Sequence, residues 1–249
     1  MTDNITDNMT DNTGAGRSLY SQSTAPSFFF DLSGFAHAAI FSSATHVWEA
    51  LSVLSSYIDN YLAKTGPVRH GNVMDGAWIG EQVYLAAGAV VEPGAMVKGP
   101  AIIGPDSVVR QGAYIREYCL VGANCVIGHT SELKGSIMLD GSQAPHFNYV
   151  GDSILGRRVN LGAGTKLSNL KNDHTIIAAA TAEARVSTGL QKLGAIIGDD
   201  AAIGCNVVTS PGTLIGPGAI VYANVLVRGF VPPRSIVKLR QDVETVPLH

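Results

Sequence analysis

Residues 79–139 read IGEQVYLAAGAVVEPGAMVKGPAIIGPDSVVRQGAYIREYCLVGANCVIGHTSELKGSIML, and every sixth residue is aliphatic: Ile79, Leu85, Val91, Val97, Ile103, Val109, Ile115, Val121, Ile127, Leu133 and Leu139. Two positions before each stands Ala77, Val83, Ala89, Ala95, Ala101, Ser107, Ala113, Cys119, Cys125, Ser131 or Ile137, so a small or medium residue recurs on the same period. A step of six matches neither the roughly 3.6-residue period of a helix nor the 2-residue period of a half-buried strand. It suits a flat strand and a corner that together make one side of a triangular coil, with the aliphatic residues pointing inward. Stacked coils then pair strand on strand about 4.8 Å apart, and glycines such as Gly80, Gly104, Gly122 and Gly128 permit the corners. The long helical crossovers that a doubly wound parallel sheet needs are absent from the pattern. The expectation is an all-β solenoid of hexapeptide repeats.

Working outward, the series stops after Leu139, resumes at Tyr149, Leu155, Leu161 and Leu167, stops again over 169–194, and returns at Ile197, Ile203, Thr209, Ile215, Val221 and Val227. Interruptions of a regular solenoid read as loops extruded from a corner, at 140–148 and 169–194, and such loops carry function. Pro232 and Pro233 are expected to end the coil, which leaves a β-helix over 67–230 and a C-terminal tail over 231–249. Upstream, the opening MTDNITDNMTDN is a thrice-repeated polar tetrapeptide, too poor in large apolar groups to offset the entropy of ordering, so 1–27 reads as a disordered tail. Over 44–62, Val47, Trp48, Leu51, Leu54, Ile58 and Leu62 recur at three- and four-residue steps and predict an amphipathic helix that ends near Thr65, Gly66 and Pro67. This makes 28–66 an N-terminal helical segment.

The composition narrows the function. With 46% hydrophobic residues the chain can bury a real core, while 15% charged residues, a formal net of -3 and no basic run leave no footprint for nucleic acid or an anionic membrane. The expected partner is a small molecule or a second copy of the chain. The first apolar stretch, 28–41, is broken by Asp31, Ser33, Gly34 and His37, so neither a signal peptide nor a membrane span is expected, and the cytoplasm is the default compartment. Cys119, Cys125 and Cys205 are an odd set without C-x-x-C spacing, which argues against a disulfide framework or a zinc knuckle. Cys119 and Cys125 fall on the small inward positions and are expected to pack there.

The first interruption, GSQAPHFNYVGDSILG, holds His146 between Pro145 and Phe147, where a neutral imidazole at a loop base can take a proton from an amine near neutral pH. APHFNYVGDSILG, followed by VNLGAGTKLSN, resembles the acetyltransferase half of the bifunctional N-acetylglucosamine-1-phosphate uridyltransferase / glucosamine-1-phosphate acetyltransferase family. It also resembles the C-terminal β-helix of related sugar-1-phosphate nucleotidyltransferases. The similarity runs from about Phe28 to Val227, with FFFDLSGF and HVWEALSVLSSYI on the linker helix of those proteins. The resemblance implies a left-handed coil, a homotrimer and acetyl-CoA as co-substrate, without a metal. It places His146 on the general base, Tyr149 and Asn160 on contacts to a sugar phosphate, and Arg110 and Lys134 on the cations that hold its phosphate. Asn169 falls at the sugar and thioester end, and Ala163, Cys205 and Ala223 on the acetyl-CoA groove. In the mechanism so implied, His146 deprotonates a hexosamine amine, the amine attacks the thioester, and a backbone N–H stabilises the oxyanion.

The chain departs from that pattern after Asn169, where Leu170 replaces an aromatic residue, no lysine matches the next loop position, with Lys192 near it but shifted, and the loop from 171 to 194 is longer. No Gly-rich pyrophosphorylase loop occurs, so the chain is not expected to be bifunctional. Two rival readings stay open. One is a non-catalytic β-helix module related to sugar-1-phosphate nucleotidyltransferases. The other is a zinc-dependent carbonic-anhydrase-like β-helix, for which His129 and His146 lack the usual spacing. Arg110 and Lys134 also read as solvated cations, and Asn160 and Asn169 as the stacked asparagines that corners favour.

Overall fold

Aliphatic side chains pointing inward and corner residues with positive φ wind the chain into a left-handed parallel β-helix, seen in a computed structural model that describes residues 24–181 and 183–248. The first face stacks nine strands from Asn72–Val73 to Ile236–Val237, the second eight from Trp78–Ile79 to Leu226–Val227, and the third eight from Val83–Leu85 to Phe230–Val231. Ala101 pairs with Cys119, Val108 with Val126 and Ile115 with Leu133, which is the register of three six-residue sides per coil. The six-step residues from Leu85 to Leu133 form the buried inner column, with Ile79 packed at its open end.

The period slips beyond Leu133, first before Met138, then between Val150 and Leu155, and again between Val227 and Val231. Leu133 pairs with Val150 and Val121 with Met138, so the corner at Gly135 has one residue fewer. Met138 therefore points inward in place of Leu139, and Val150 in place of Tyr149. Leu139 and Ile137 turn out beneath the N-terminal segment instead. Residues 140–148 consequently form no extruded loop: Gln143–His146 is a strand of the first face, paired with Val126–His129. The second interruption does leave the prism. It carries an antiparallel hairpin, Ala178–Ala180 with Arg185–Ser187, and closes at its base where the Leu193 N–H donates to the Asn169 carbonyl at 3.0 Å.

Pro232 and Pro233 do not end the coil, because Ile236–Val237 still pairs with Ile220–Val221. Pro233 precedes the left-handed Arg234 (φ 51), as Pro105 precedes Asp106 (φ 56) and Pro217 precedes Gly218 (φ 64). The first corner position of such a turn suits the fixed φ of proline, and the second takes the positive φ.

The N-terminal segment consists of α1 (Pro26–Phe29), a 3-10 turn (Ala38–Phe41), α2 (Glu49–Ser52) and α3 (Leu54–Thr65). The single helix expected over 44–62 is thus two, starting only at Glu49, whose carboxylate accepts from the Thr45 and His46 N–H groups at 2.8 and 3.2 Å and so caps the start. Phe29, Trp48 and Ile58 bury themselves on the outward Ile102, Leu120, Ile137 and Ile154 of the third face. Buried Asp199 fastens the segment to the coil by accepting from the Asp31 and Arg157 N–H groups at 2.8 and 2.7 Å. Of the tail expected over 1–27, residues 1–23 lie outside the described residues. Thr24 already belongs to the segment, its carbonyl accepting from the Val47 N–H at 2.7 Å. Among the described residues, no helix is long and apolar enough to cross a membrane.

Candidate functional site

His146 ends its strand on the edge where the first face turns into the second, and it is exposed. The turn is held from inside. Phe147 takes φ 51, the buried Asn148 accepts from the His146 N–H at 3.0 Å, and the Asn148 Nδ2 donates to the Gly162 carbonyl at 2.8 Å. His129 lies directly beneath His146 on the neighbouring coil, its ring 5.2 Å from that of Phe147 in an edge-on contact. The edge continues upward as a ladder: the Gly164 N–H donates to the His146 carbonyl at 3.0 Å, Asn206 to Ala163 at 2.8 Å and Asn224 to Cys205 at 2.9 Å. His146, Ala163, Cys205 and Ala223 therefore stand one above another on a single ridge. Beside its upper end opens a cavity of about 480 Å³ lined by Gly204, Tyr222, Ala223, Asn224, Leu239 and Gln241.

A second cluster occupies the opposite edge of the second face. Lys134 donates to both carboxylate oxygens of Asp152 at 2.8 Å, and Asn169 Nδ2 also donates to Asp152. A Cβ placed at Gly151 would lie 2.7 Å from both the Tyr149 hydroxyl and Asn169 Nδ2, so these two polar ends meet over that glycine. Gly135, Lys192, Leu51 and Leu54 join Lys134 and Asp152 around a cavity of about 280 Å³, roofed by the N-terminal helices. Tyr149 itself lies on the second face between Glu132 and Lys166, within the strand Tyr149–Gly151 that bridges the two edges. Such a strand spans roughly 10 Å at about 3.3 Å per residue.

The GMPPB C-terminal domain family matches residues 97–191, which contain both edges of this face and the hairpin. The bifunctional protein GlmU of Methanococcus maripaludis is 43% identical over 198 residues, 80% of this chain and 47% of that protein. The bifunctional sugar-1-phosphate nucleotidylyltransferase/acetyltransferase of Sulfurisphaera tokodaii is 41% identical over 100 residues, 40% of this chain and 25% of that protein. The β-helix is homologous to theirs. The chain spans about half the length, 47%, of the first of these relatives. Among solved structures, the UDP-N-acetylglucosamine acyltransferase from Campylobacter jejuni matches with a TM-score of 0.40 at 16% identity, covering 66% of this chain and 70% of that one, too loosely to bear on the site.

Within this GlmU-related β-helix, three of the residues singled out from sequence, Lys134, Tyr149 and Asn169, come together on one edge, and His146 with the three groove residues on the other. Arg110 does not join Lys134: it follows Val108–Val109 on the first face, and its N–H donates to the Ile127 carbonyl at 2.8 Å, on the His146 side. The cation on the coil below Lys134 is Arg116, whose N–H donates to the Leu133 carbonyl at 2.8 Å and whose guanidinium donates to Glu132 at 3.1 Å. The signal that marks it is the coil length itself, since Ile115 pairs with Leu133 and so seats Arg116 beneath Lys134. Asp152 and Asn148 are further polar residues that sequence reasoning passed over, the first pairing Lys134 and the second shaping the His146 turn. Asn160 sits mid-face, paired with Gln143 and Ala202, and not at a corner; the corner asparagines are Asn124, Asn206 and Asn224, all with positive φ. Among the described residues no three His, Cys, Asp or Glu side chains gather as a metal site would require.

Proposed function

We propose that the chain is a CoA-dependent N-acyltransferase acting on a hexosamine 1-phosphate or a close amino-sugar phosphate, with His146 as general base and working as a homotrimer. The observation that carries this reading is that the imidazole and a cationic cluster bracket one flat face at the level of Tyr149. An amino-sugar phosphate laid across that face puts its phosphate towards Lys134 and Arg116 and its amine towards His146. Asn169 and Tyr149 supply polar contacts to the ring, and Asn160 and Arg110 lie on the first-face side, where the acyl donor would approach along Ala163, Cys205 and Ala223. The amine nitrogen attacks the thioester carbon, His146 takes the amine proton, the C–S bond breaks, and the departing sulfur takes that proton from His146 and leaves as the CoA thiol. The Ala163 N–H stands next to His146 on the ridge, enters no hydrogen bond within the described residues, and serves as oxyanion donor.

Thiol release from acetyl-CoA, followed with glucosamine 1-phosphate and a panel of other amino-sugar phosphates, tests the proposal. Release is expected with at least one of them, and His146→Ala should lower it by about 10²-fold or more, the usual contribution of a positioned base. Silence across the panel together with no binding of CoA would sink the reading. A His146→Ala variant as active as the parent would remove the base. The short Lys134–Asp152 ion pair favours the alternative of a non-catalytic module, because it already occupies the cation a phosphate needs. That alternative predicts silence in the same assay.

A further inference from the structure

The hairpin that leaves the coil after Asn169 folds back onto the prism and encloses a cavity of about 370 Å³ unconnected with the residues assigned above. Its seat is firm. A Cβ at Gly212 would lie 2.6 Å from Ile177 Cγ2, and one at Gly229 would lie 3.5 Å from the Ala180 methyl, so two corner glycines let the hairpin approach closely. Three cations from separate stretches line the cavity: Lys171 at the base of the insertion, Arg185 on the hairpin and Arg228 on the coil. Among the described residues no carboxylate lines it. Lys171 reaches the neighbouring Asp173 at 3.4 Å, whereas Arg185 and Arg228 enter no ion pair among the described residues. In a chain with a net charge of -3, two unpaired guanidiniums converging on one concavity have no account in the fold itself.

We propose that this cavity binds a phosphate-bearing small molecule, its phosphate or diphosphate group held by Arg185, Arg228 and Lys171. Planar guanidiniums bind phosphate oxygens in pairs and remain charged at any physiological pH. The Ser210 residue adds a hydroxyl at the floor, and Ile176, Ala178 and Pro211 give the rest of the ligand an apolar wall. The volume is that of a small-metabolite site. Arg228 stands over Ser210, and Ser168 below it leads down to Gly151 and Lys134, because Leu167 pairs with Thr209 and Thr209 with Val227. The cavity thus shares an edge with the Lys134 cluster but lies coils above it, and it does not depend on the acyltransferase reading.

Titration of the full-length chain with inorganic pyrophosphate by calorimetry, at fixed ionic strength, tests the proposal. Saturable binding is expected, weakened at least fivefold by Arg185→Gln and by Arg228→Gln, with unchanged circular dichroism because both side chains are exposed. Lys134→Gln should leave it unaltered. Absence of saturable binding overturns the proposal, as does an unchanged affinity in the Arg185→Gln/Arg228→Gln double variant. Loss of binding in Lys134→Gln alone would move the anion to the other cluster and overturn it too. None of these results alters the thiol-release assay, so the two readings fail separately.

Discussion

A Cβ on Gly128 would stand 1.6 Å from the Pro145 carbonyl oxygen, so the coil bearing His146 can settle on the coil below only because that residue has no side chain. Gly128→Ala must push the two backbones apart next to the His129–His146 pairing. Overpacking of this kind typically costs about 1–3 kcal/mol, and an ideal overlap so deep belongs at the upper end. We expect a lowered denaturant midpoint and, if His146 is the base, a fall in thiol release larger than the stability loss explains; an unchanged midpoint would contradict the close approach. Cys119 and Cys125 show the opposite case, residues whose role was legible from position alone. Both are buried, desolvation pushes their thiols up to about 12 and about 11, and each lies within hydrogen-bonding reach of a carbonyl inside the coil. Arg116 was not legible in the same way. Its importance is a matter of what lies above it, and that follows only from the coil length.

At the level of elements, the N-terminal segment carries a pH dependence. His37 Nδ1 is 3.0 Å from the Tyr57 hydroxyl, and the ring is enclosed by Phe35, Tyr57 and Tyr61. Burial lowers its pKa from the ordinary 6.5, against a smaller raising effect of Asp140. Below the unfolded pKa the unfolded chain binds a proton that the folded one resists, so this contribution is complete above about pH 6.5 and is lost as the pH falls towards the folded value. Thermal melts between pH 7 and 5 should lose more stability in the parent than in His37→Gln, and equal slopes would rule the effect out. The six-step rule located the strands from Leu85 to Leu133 because nothing interrupted it. It misassigned Leu139 because the shortened corner at Gly135 leaves no mark in the apolar run IML, and Tyr149 because a second shortened corner, between Val150 and Leu155, shifts the count back from Leu155 onto the neighbouring residue. The proline pair misled for a related reason: the rule that proline stops a strand ignores that every side here ends in a turn suited to it.

For the molecule as a whole, the three faces are unequal. The third is covered by helices, whereas the first shows the partly buried Val90, Val108 and Val126 in one vertical row and the second shows Trp78 and Met96, both about half exposed. Flat apolar surface of this extent on a prism suits packing around a threefold axis. Sedimentation of the full chain is expected at three times the monomer mass, and Val108→Glu should shift it to monomer; a parent that sediments as monomer would refute the trimer. The overall architecture was readable from sequence since each coil repeats the same instruction. The two-edged layout of the candidate site was not, as it depends on how many residues lie between corners.

The hydrogen bond between Leu193 and Asn169 closes the perimeter of its coil whatever lies between them, and Leu155 still meets Ile197 above the excursion. The chain beyond that clasp is released from the spacing rule that governs every other coil. Away from the buried Ile177 and Ala179, which seat it on the third face, substitutions, insertions or deletions there can accumulate without disturbing the stack, so new ligand preferences can arise in one appendage while the scaffold that presents it stays fixed.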